Sequence, residues 1–334
     1  MAYIKLNREN LYHNLNQLSL KSGDKQKIAA VLKDNAYGHD LEQMAKLTSQ
    51  YGLQEAVVMN QQEASSIKDM FKNILILNDT PQVANNFTYA ITELSQLNSV
   101  TKGAKIELKV DTGMHRNGIE LSTLSAALDT IKSKELNLVG IFTHYKSADE
   151  FSSELSWQMH NFNIVKNIAN NKGFKDIRFH SHNSATLLRN NTFSEDIARV
   201  GIAMYGFNEL PSIYNKLELK PVLSLWAKRV STRELKKGQR VGYGGSFMAN
   251  KDMLVSTYDV GYGSGLFRGD STNPLITKDG LPILGRVSMD FISLQSTKDE
   301  LCIFANAQEV AKHFNTISYE ITTSLKSNLK KIVE

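Results

Sequence analysis

Eight short apolar runs, each followed by a stretch of helical period, fill the chain before about residue 210. They are Ile28 to Leu32, Ala56 to Met59, Ile74 to Leu77, Tyr89 to Thr92, Ile106 to Val110, Leu138 to Thr143, Ile177 to His180 and Ile202 to Tyr205. Short apolar runs separated by helix-length segments predict parallel strands joined by helices. The stretches Asp40 to Ser49, Leu121 to Ser133 and Phe151 to Asn170 have the amphipathic period such crossovers need. Eight repeats predict a closed (β/α)8 TIM barrel, whose active-site residues come from the carboxyl ends of several strands. An open doubly wound sheet is the alternative, but no Gly-x-Gly-x-x-Gly follows an early strand. Past about residue 220 the texture changes to β-rich runs broken by glycine turns: Val222 to Val230, Leu254 to Val260, Pro282 to Val287 and Phe291 to Leu294. The expected organisation is a barrel over residues 1–215 and a smaller, mostly β domain over 216–334, ending in short helix and loop at Ala307 to Phe314 and Tyr319 to Leu329.

A chain of 334 residues with 41% hydrophobic content can bury a core of that size. The lone Cys302 sits among apolar neighbours and excludes an intrachain disulfide, which fits a reducing cytoplasm. Charges within the first turns and the absence of a long apolar run argue against secretion and membrane insertion. The net charge of +5 is spread out and thickest in Arg229 to Arg240 and Lys326 to Lys331, which read as solvated faces. Nucleic-acid binding would want basic residues interleaved with aromatics on one element, and no such element is present.

Polar groups gather where the predicted strands end. Lys33 closes the run Ile28-Ala29-Ala30-Val31-Leu32. It reads equally as a surface lysine or as one whose amine attacks a carbonyl to form a Schiff base, since an apolar setting helps such an amine lose its proton. Tyr37 lies in the turn beyond, where hydroxyl and backbone N–H groups can face a phosphate. The fifth run leads into Asp111 to Gly118, which places Arg116 on a glycine-flanked loop able to clamp a carboxylate. His144 follows the sixth run, and His180-Ser181-His182-Asn183-Ser184 follows the seventh, with Ser184 a candidate phosphate donor. Arg199, Gly201 and Ile202 fall at the last strand, where barrels often keep a phosphate site. Either histidine alone also reads as structural. His180 and His182 could suggest a metal, but no carboxylate or third histidine lies at ligand spacing. Tyr243 and Tyr262, hemmed by glycines, read on their own as turn aromatics.

Taken together, Ala30-Val31-Leu32-Lys33-Asp34-Asn35-Ala36-Tyr37-Gly38-His39, Lys109 to Arg116, Thr143-His144, His180 with Asn183-Ser184, Arg199 to Gly206 and Gly285-Arg286-Val287-Ser288-Met289-Asp290 resemble bacterial alanine racemase, in that family's order and over nearly the whole chain. The resemblance implies a pyridoxal 5'-phosphate enzyme that works as a head-to-tail homodimer on a small amino acid and supplies D-alanine for peptidoglycan. By resemblance, Lys33 is the Schiff-base lysine and the base for the D-face, and Tyr243 of the partner is the base for the L-face. Arg199 faces the pyridine nitrogen, with His144 holding it in place. Arg116 binds near the substrate carboxylate and polarises the phenol. Lys109 matches a lysine often carbamylated in the family, and Tyr37, Asn183, Ser184, Gly201 and Ile202 match the cofactor-binding set. Met289 and Tyr262 match substrate-entrance residues placed by the partner. The chain departs from the pattern at His115, Asn117 and Gly263-Ser264-Gly265, and Ser327 stands where a phosphate-binding tyrosine is common. A racemase of the same fold acting on serine, lysine or a broader set is the alternative.

Overall fold

The computed structural model describes residues 1–84, 86–214 and 217–334. It divides into two compact units: Tyr12–Ala36 with Leu41–Leu219, and Met1–Leu11 with Tyr37–Asp40 and Lys220–Glu334. The cut expected between residues 215 and 216 lies outside the described residues. What the sequence reading did not foresee is that the N-terminus belongs with the second unit. Tyr3–Leu6 pairs antiparallel with Leu223–Leu235, Ile4 opposite Leu225, and parallel with Lys330–Val333.

The first unit is a parallel barrel in the order Ala198–Val200, Ile28–Val31, Glu55–Val58, Asn73–Ile76, Phe87–Ile91, Lys105–Asp111, Asn137–Phe142, Arg178–His180. Register is set residue by residue, as in Arg199 opposite Ala29 and Ala30 opposite Ala56. Between the last strand and Arg178–His180 the described residues show no ladder. Single bonds join them instead: Arg199 N to His182 O (2.9 Å) and Phe179 N to Asp196 Oδ2 (2.7 Å). Strands of four buried residues, such as Ile28-Ala29-Ala30-Val31, are apolar on both faces because the barrel interior lies on one side and the helices on the other. Leu124–Ser133 and Glu154–Asn171 pack Leu128, Ile131, Phe162 and Val165 onto Ile106, Leu108 and Ile141. Full burial of one such side chain is worth roughly 1.5–3 kcal/mol.

The eighth strand corrects the sequence reading. It is Ala198–Val200, while the apolar stretch from Ile202 to Tyr205 forms buried turns closed by Met204 N to Gly201 O (2.9 Å) and Gly206 N to Ala203 O (3.1 Å). Glycines at both ends let the chain fold back, and a buried turn of apolar side chains reads in sequence like a strand.

The second unit is built on the 13-residue strand Leu223–Leu235, which is flanked by Tyr3–Leu6, Glu300–Phe304 and Met253–Tyr258. Ile292–Leu294 pairs with Met253–Tyr258. Among the described residues Pro282 to Val287, expected as a strand, forms a single bridge from Pro282 to Ile276, with Ile283 N bonding Leu275 O and Leu284 N bonding Ser293 O; proline has no N–H to donate, and Gly285 takes a φ of 74°. Short helices Ala307–His313 and Ser318–Ser324 complete the unit. Among the described residues no helix is long and apolar enough to cross a membrane.

Beside the barrel's last strands, Glu195 is buried and tied down on all sides. It accepts from Ser181 Oγ (2.6 Å) and N (2.5 Å), lies 3.0 Å from His182 Nδ1, and pairs with Lys166 at 3.3 Å. Burial alone would raise its pKa, but the His182 hydrogen bond and charge, the Ser181 hydrogen bond and Lys166 outweigh it and hold the carboxyl at about 2. A carboxyl whose folded pKa lies below its unfolded one adds stability above the unfolded pKa and loses it as pH falls through the folded one. The thermal midpoint should therefore drop between about pH 4.5 and pH 2, by an amount equivalent to about 2–3 kcal/mol from this group. Glu195→Gln should be less stable at pH 7 and should flatten that stretch of the curve. Parallel melting curves of the two proteins across that range check it, and an unchanged slope in the variant would refute it.

Candidate active site

Lys33 follows Ile28–Val31 with one residue between, at the carboxyl end of the strand as expected. Its amine lies 3.1 Å from Asp34 Oδ2. The next four residues, Asp34, Asn35, Ala36 and Tyr37, all have φ between 53° and 55°, a left-handed turn that costs non-glycine residues roughly 1–2 kcal/mol each. Local bonds hold it: Ala36 N to Leu32 O (2.8 Å), Asn35 N to Glu63 Oε1 (3.3 Å) and Leu41 N to Asn35 Oδ1 (2.9 Å). Strain of this kind points to a functional segment. Tyr37 is counted with the second unit, where its ring packs tilted on Tyr319 with centroids 5.6 Å apart.

The loop after Lys105–Asp111 is fixed by Asp111, whose Oδ1 accepts from the backbone N–H of Gly113, Met114 and His115 at 2.8, 2.9 and 3.2 Å. At Gly113 (φ 134°) a Cβ would stand 2.2 Å from the Trp157 ring, and at Gly118 (φ 134°) 2.8 Å from Asp111 N, so glycine is required on both sides of Arg116. Arg116 is exposed and makes no hydrogen bond or ion pair among the described residues. Lys109 is buried beneath it and donates to Asn117 Oδ1. Burial first, then the charges of Arg116 and Arg199, push the Lys109 amine down to about 8 against the pull of Asp111. The departure at Asn117 thus supplies an acceptor to the lysine that the resemblance marks for carbamylation.

Arg199 lies inside the barrel, 6% exposed. Its NH1 lies 2.6 Å from His180 Nδ1 and 3.2 Å from His180 O, and NH2 donates to Thr143 O at 2.6 Å. The guanidinium also sits 5.2 Å above the Phe142 ring centroid. Burial brings its pKa down to about 10, leaving it a cation at neutral pH. The holder of Arg199 is therefore His180, a residue the sequence reading placed only in a polar cluster, and not His144. A signal was present in the alternation of the strand, which turns His180 to the same interior as Arg199. His144 has a different setting: burial, then Arg199, Lys109, Arg116 and Lys33, push it down to about 3, so it is neutral among four cations.

Ser184 opens the helix Ser184–Arg189, and its Oγ accepts from Gly201 N (3.1 Å) and Ala203 N (3.4 Å). With its oxygen occupied by these two N–H groups, the Ser184 hydroxyl keeps its own proton to donate. Ile202 is buried in the same turn. Asn183, expected among the cofactor contacts, caps the helix: its Oδ1 accepts from Thr186 N and Oγ1, both at 2.9 Å, and its Nδ2 donates to Tyr145 O. His182 engages Glu195 and Asn190 (3.1 Å from its Nε2), and among the described residues no group of three metal-type ligands is assembled.

In the second unit, Tyr243 sits on a turn between Gly242 and Gly244, both at φ 70°, and is 68% exposed. A Cβ on Gly244 would lie 3.5 Å from Arg286. Tyr262 N bonds Ser288 O (3.1 Å) and Gly263 N bonds Met289 O (2.7 Å), so Tyr262 and Met289 stand side by side, both exposed. At Ser327 the side chain is exposed and the carbonyl accepts from Lys331.

The alanine racemase N-terminal domain matches residues 6–209, and the alanine racemase C-terminal domain matches residues 222–333. The chain is 47% identical to an alanine racemase from Nitratiruptor over 335 residues, 99% of each chain, and 42% identical to one from Campylobacter jejuni over the full length of both. The solved alanine racemase of Clostridium difficile superposes with a TM-score of 0.91 at 25% identity, covering 100% of this chain and 95% of that one. That of Bacillus anthracis with bound L-Ala-P gives 0.88 at 25% identity, with the same coverage. A barrel mouth loaded with cations, a β unit carrying its tyrosines on glycine turns, and relatives matched from end to end agree: the chain belongs to the alanine racemase family, whose members are amino-acid isomerases.

Proposed function

We propose that the chain interconverts L- and D-alanine on pyridoxal 5'-phosphate, through two bases on opposite faces of the substrate, as a cytoplasmic homodimer that supplies D-alanine for peptidoglycan. The observation that carries this reading is the set of cationic side chains at the strand ends: Lys33 after Ile28–Val31, Lys109 on Lys105–Asp111 with Arg116 on the loop that follows, and Arg199 held inside the barrel by His180 and Thr143. Positive charge at the strand ends, with the Ser184 hydroxyl seated against the turn of Gly201 and Ala203, suits a ligand bringing a phosphate and a carboxylate.

The cofactor, when bound, withdraws electrons from the substrate's α-carbon and so makes its proton removable. Lys33 holds the cofactor and exchanges the proton on the D-face. Ser184, Gly201 and Ile202 hold the phosphate, with Tyr37 closing on it. Arg199 has NH1 and NH2 engaged by the barrel, while its Nε has no hydrogen bond among the described residues and is the donor left for the pyridine nitrogen. A guanidinium keeps its protons, so Arg199 would give that nitrogen a hydrogen bond without transferring a proton to it. Arg116, without an ion pair of its own, takes the substrate carboxylate.

Racemisation needs a second base opposite Lys33, because one group cannot easily remove and return a proton on both faces. Tyr243 fills that role from the partner. It is 68% exposed, and Met289 (56%), Met248 (52%) and Phe291 (44%) share the same unit's surface. Apolar side chains left open in one protomer suit coverage by a second copy. Tyr262 and Met289 then line the substrate's approach.

Two outcomes test the assignments. Adding pyridoxal phosphate to the wild type should give a visible absorbance band that Lys33→Ala lacks, and a band of equal strength in the variant would remove Lys33 from its role. Tyr243→Phe should racemise alanine roughly 10²–10⁴-fold more slowly. In deuterated water it should still exchange the α-proton of D-alanine while sparing L-alanine. Equal exchange from both enantiomers, read by proton NMR, would refute the two-base division.

A further inference from the structure

A chain of charged groups runs through the barrel behind the residues that meet the ligand. Arg178 NH1 donates to Glu55 Oε2 at 2.9 Å, and its Nε and NH2 donate to Glu107. Glu107 Oε2 lies 2.7 Å from His180 Nε2, and His180 Nδ1 lies 2.6 Å from Arg199 NH1. Glu107 and His180 have no solvent exposure, and the His180 ring stacks on Phe142 at 5.0 Å and 4°. Two carboxylates and two guanidiniums balance along this chain, so a proton added to the imidazole would be an uncompensated buried charge. Burial accordingly pushes His180 down to about 4 despite Glu107, while Glu107, which burial alone would raise, is held at about 2 by Arg178 and His180.

A neutral imidazole has one N–H and one lone pair, and an ionised carboxylate only accepts. The proton facing Glu107 must therefore be on Nε2, and the lone pair on Nδ1 faces the guanidinium. We propose that Glu107 is a positioning residue for the racemase reaction: by fixing His180 as the Nε2–H tautomer it obliges Arg199 to donate NH1 sideways, which leaves the Arg199 Nε–H aimed at the ligand. A side chain that could donate to Nε2 would move the proton to Nδ1, set it against the Arg199 N–H and displace the guanidinium. The proposal rests on the function above only for what Arg199 serves, since the tautomer is a property of the protein alone.

The test is a long-range proton–nitrogen correlation spectrum of the full chain labelled with ¹⁵N-histidine, at pH 7, with and without added pyridoxal phosphate. His180 should show a protonated Nε2 and a bare Nδ1. In Glu107→Gln the proton should shift wholly or partly to Nδ1, and the holoenzyme's kcat for alanine should fall about tenfold or more with KM within about twofold, since Arg116 is untouched. A wild-type His180 found as the Nδ1–H tautomer or as the imidazolium overturns the proposal. So does a folded Glu107→Gln with the tautomer and kcat both unchanged. Should that variant fail to fold, the wild-type tautomer decides alone. A wild type with the expected tautomer and no alanine racemisation would refute the proposed function while leaving the Glu107 chain intact.

Discussion

A guanidinium shut inside a barrel is tolerable only where fixed acceptors surround it, and meeting that condition at Arg199 organises the mouth of this one. Removing an ion from water costs several kcal/mol unless geometry and hydrogen bonds compensate. Here the compensation comes from two strand ends: Thr143 O beyond Asn137–Phe142, and the ring and carbonyl of His180 on Arg178–His180. The last two strands have no ladder between them among the described residues, so the Arg199 to His180 and Arg199 N to His182 O contacts also draw the barrel shut. Closing the fold and orienting the cation are one set of interactions.

Around that anchored cation, Arg116 and Lys109 have no ion pair among the described residues, while Lys33 pairs with Asp34. Asp111 directs one carboxylate oxygen at three backbone N–H groups and so shapes the Arg116 loop more than it screens it. Lys109 has an amide oxygen from Asn117 in place of a counter-ion. The result is a neutral His144 and a lysine amine brought toward neutrality, both caused by burial and mutual repulsion. A cluster of this sign is chemically suited to an anionic ligand.

Backbone strain completes the preparation. Four successive left-handed residues after Lys33 cannot be read from composition, since Asp, Asn, Ala and Tyr carry no common signal for that conformation. Glu63 and Asn35 pin the turn, and glycines at 113 and 118 pin the opposite loop against Trp157 and Asp111. Such segments sit where side chains must be held in one place.

The alternation of apolar runs with helical stretches determined the barrel, because strands buried on both faces must be continuously apolar and must be joined by crossovers. The same logic placed Lys33, His144, Ser184 and Arg199 at strand ends from local sequence alone. It failed where local pattern is degenerate. Ile202 to Tyr205 is apolar because it is a buried turn, and Pro282 to Val287 forms a single bridge where a strand was expected. Tyr3–Leu6 pairs with a strand more than two hundred residues away, which no local period encodes. Only the tertiary structure decided that His180 and not His144 holds Arg199, that Asn183 is a helix cap, and that Glu107 stands behind them both. Those assignments depend on which polar atoms meet in space, and a period of two or 3.6 residues fixes only the face a side chain takes.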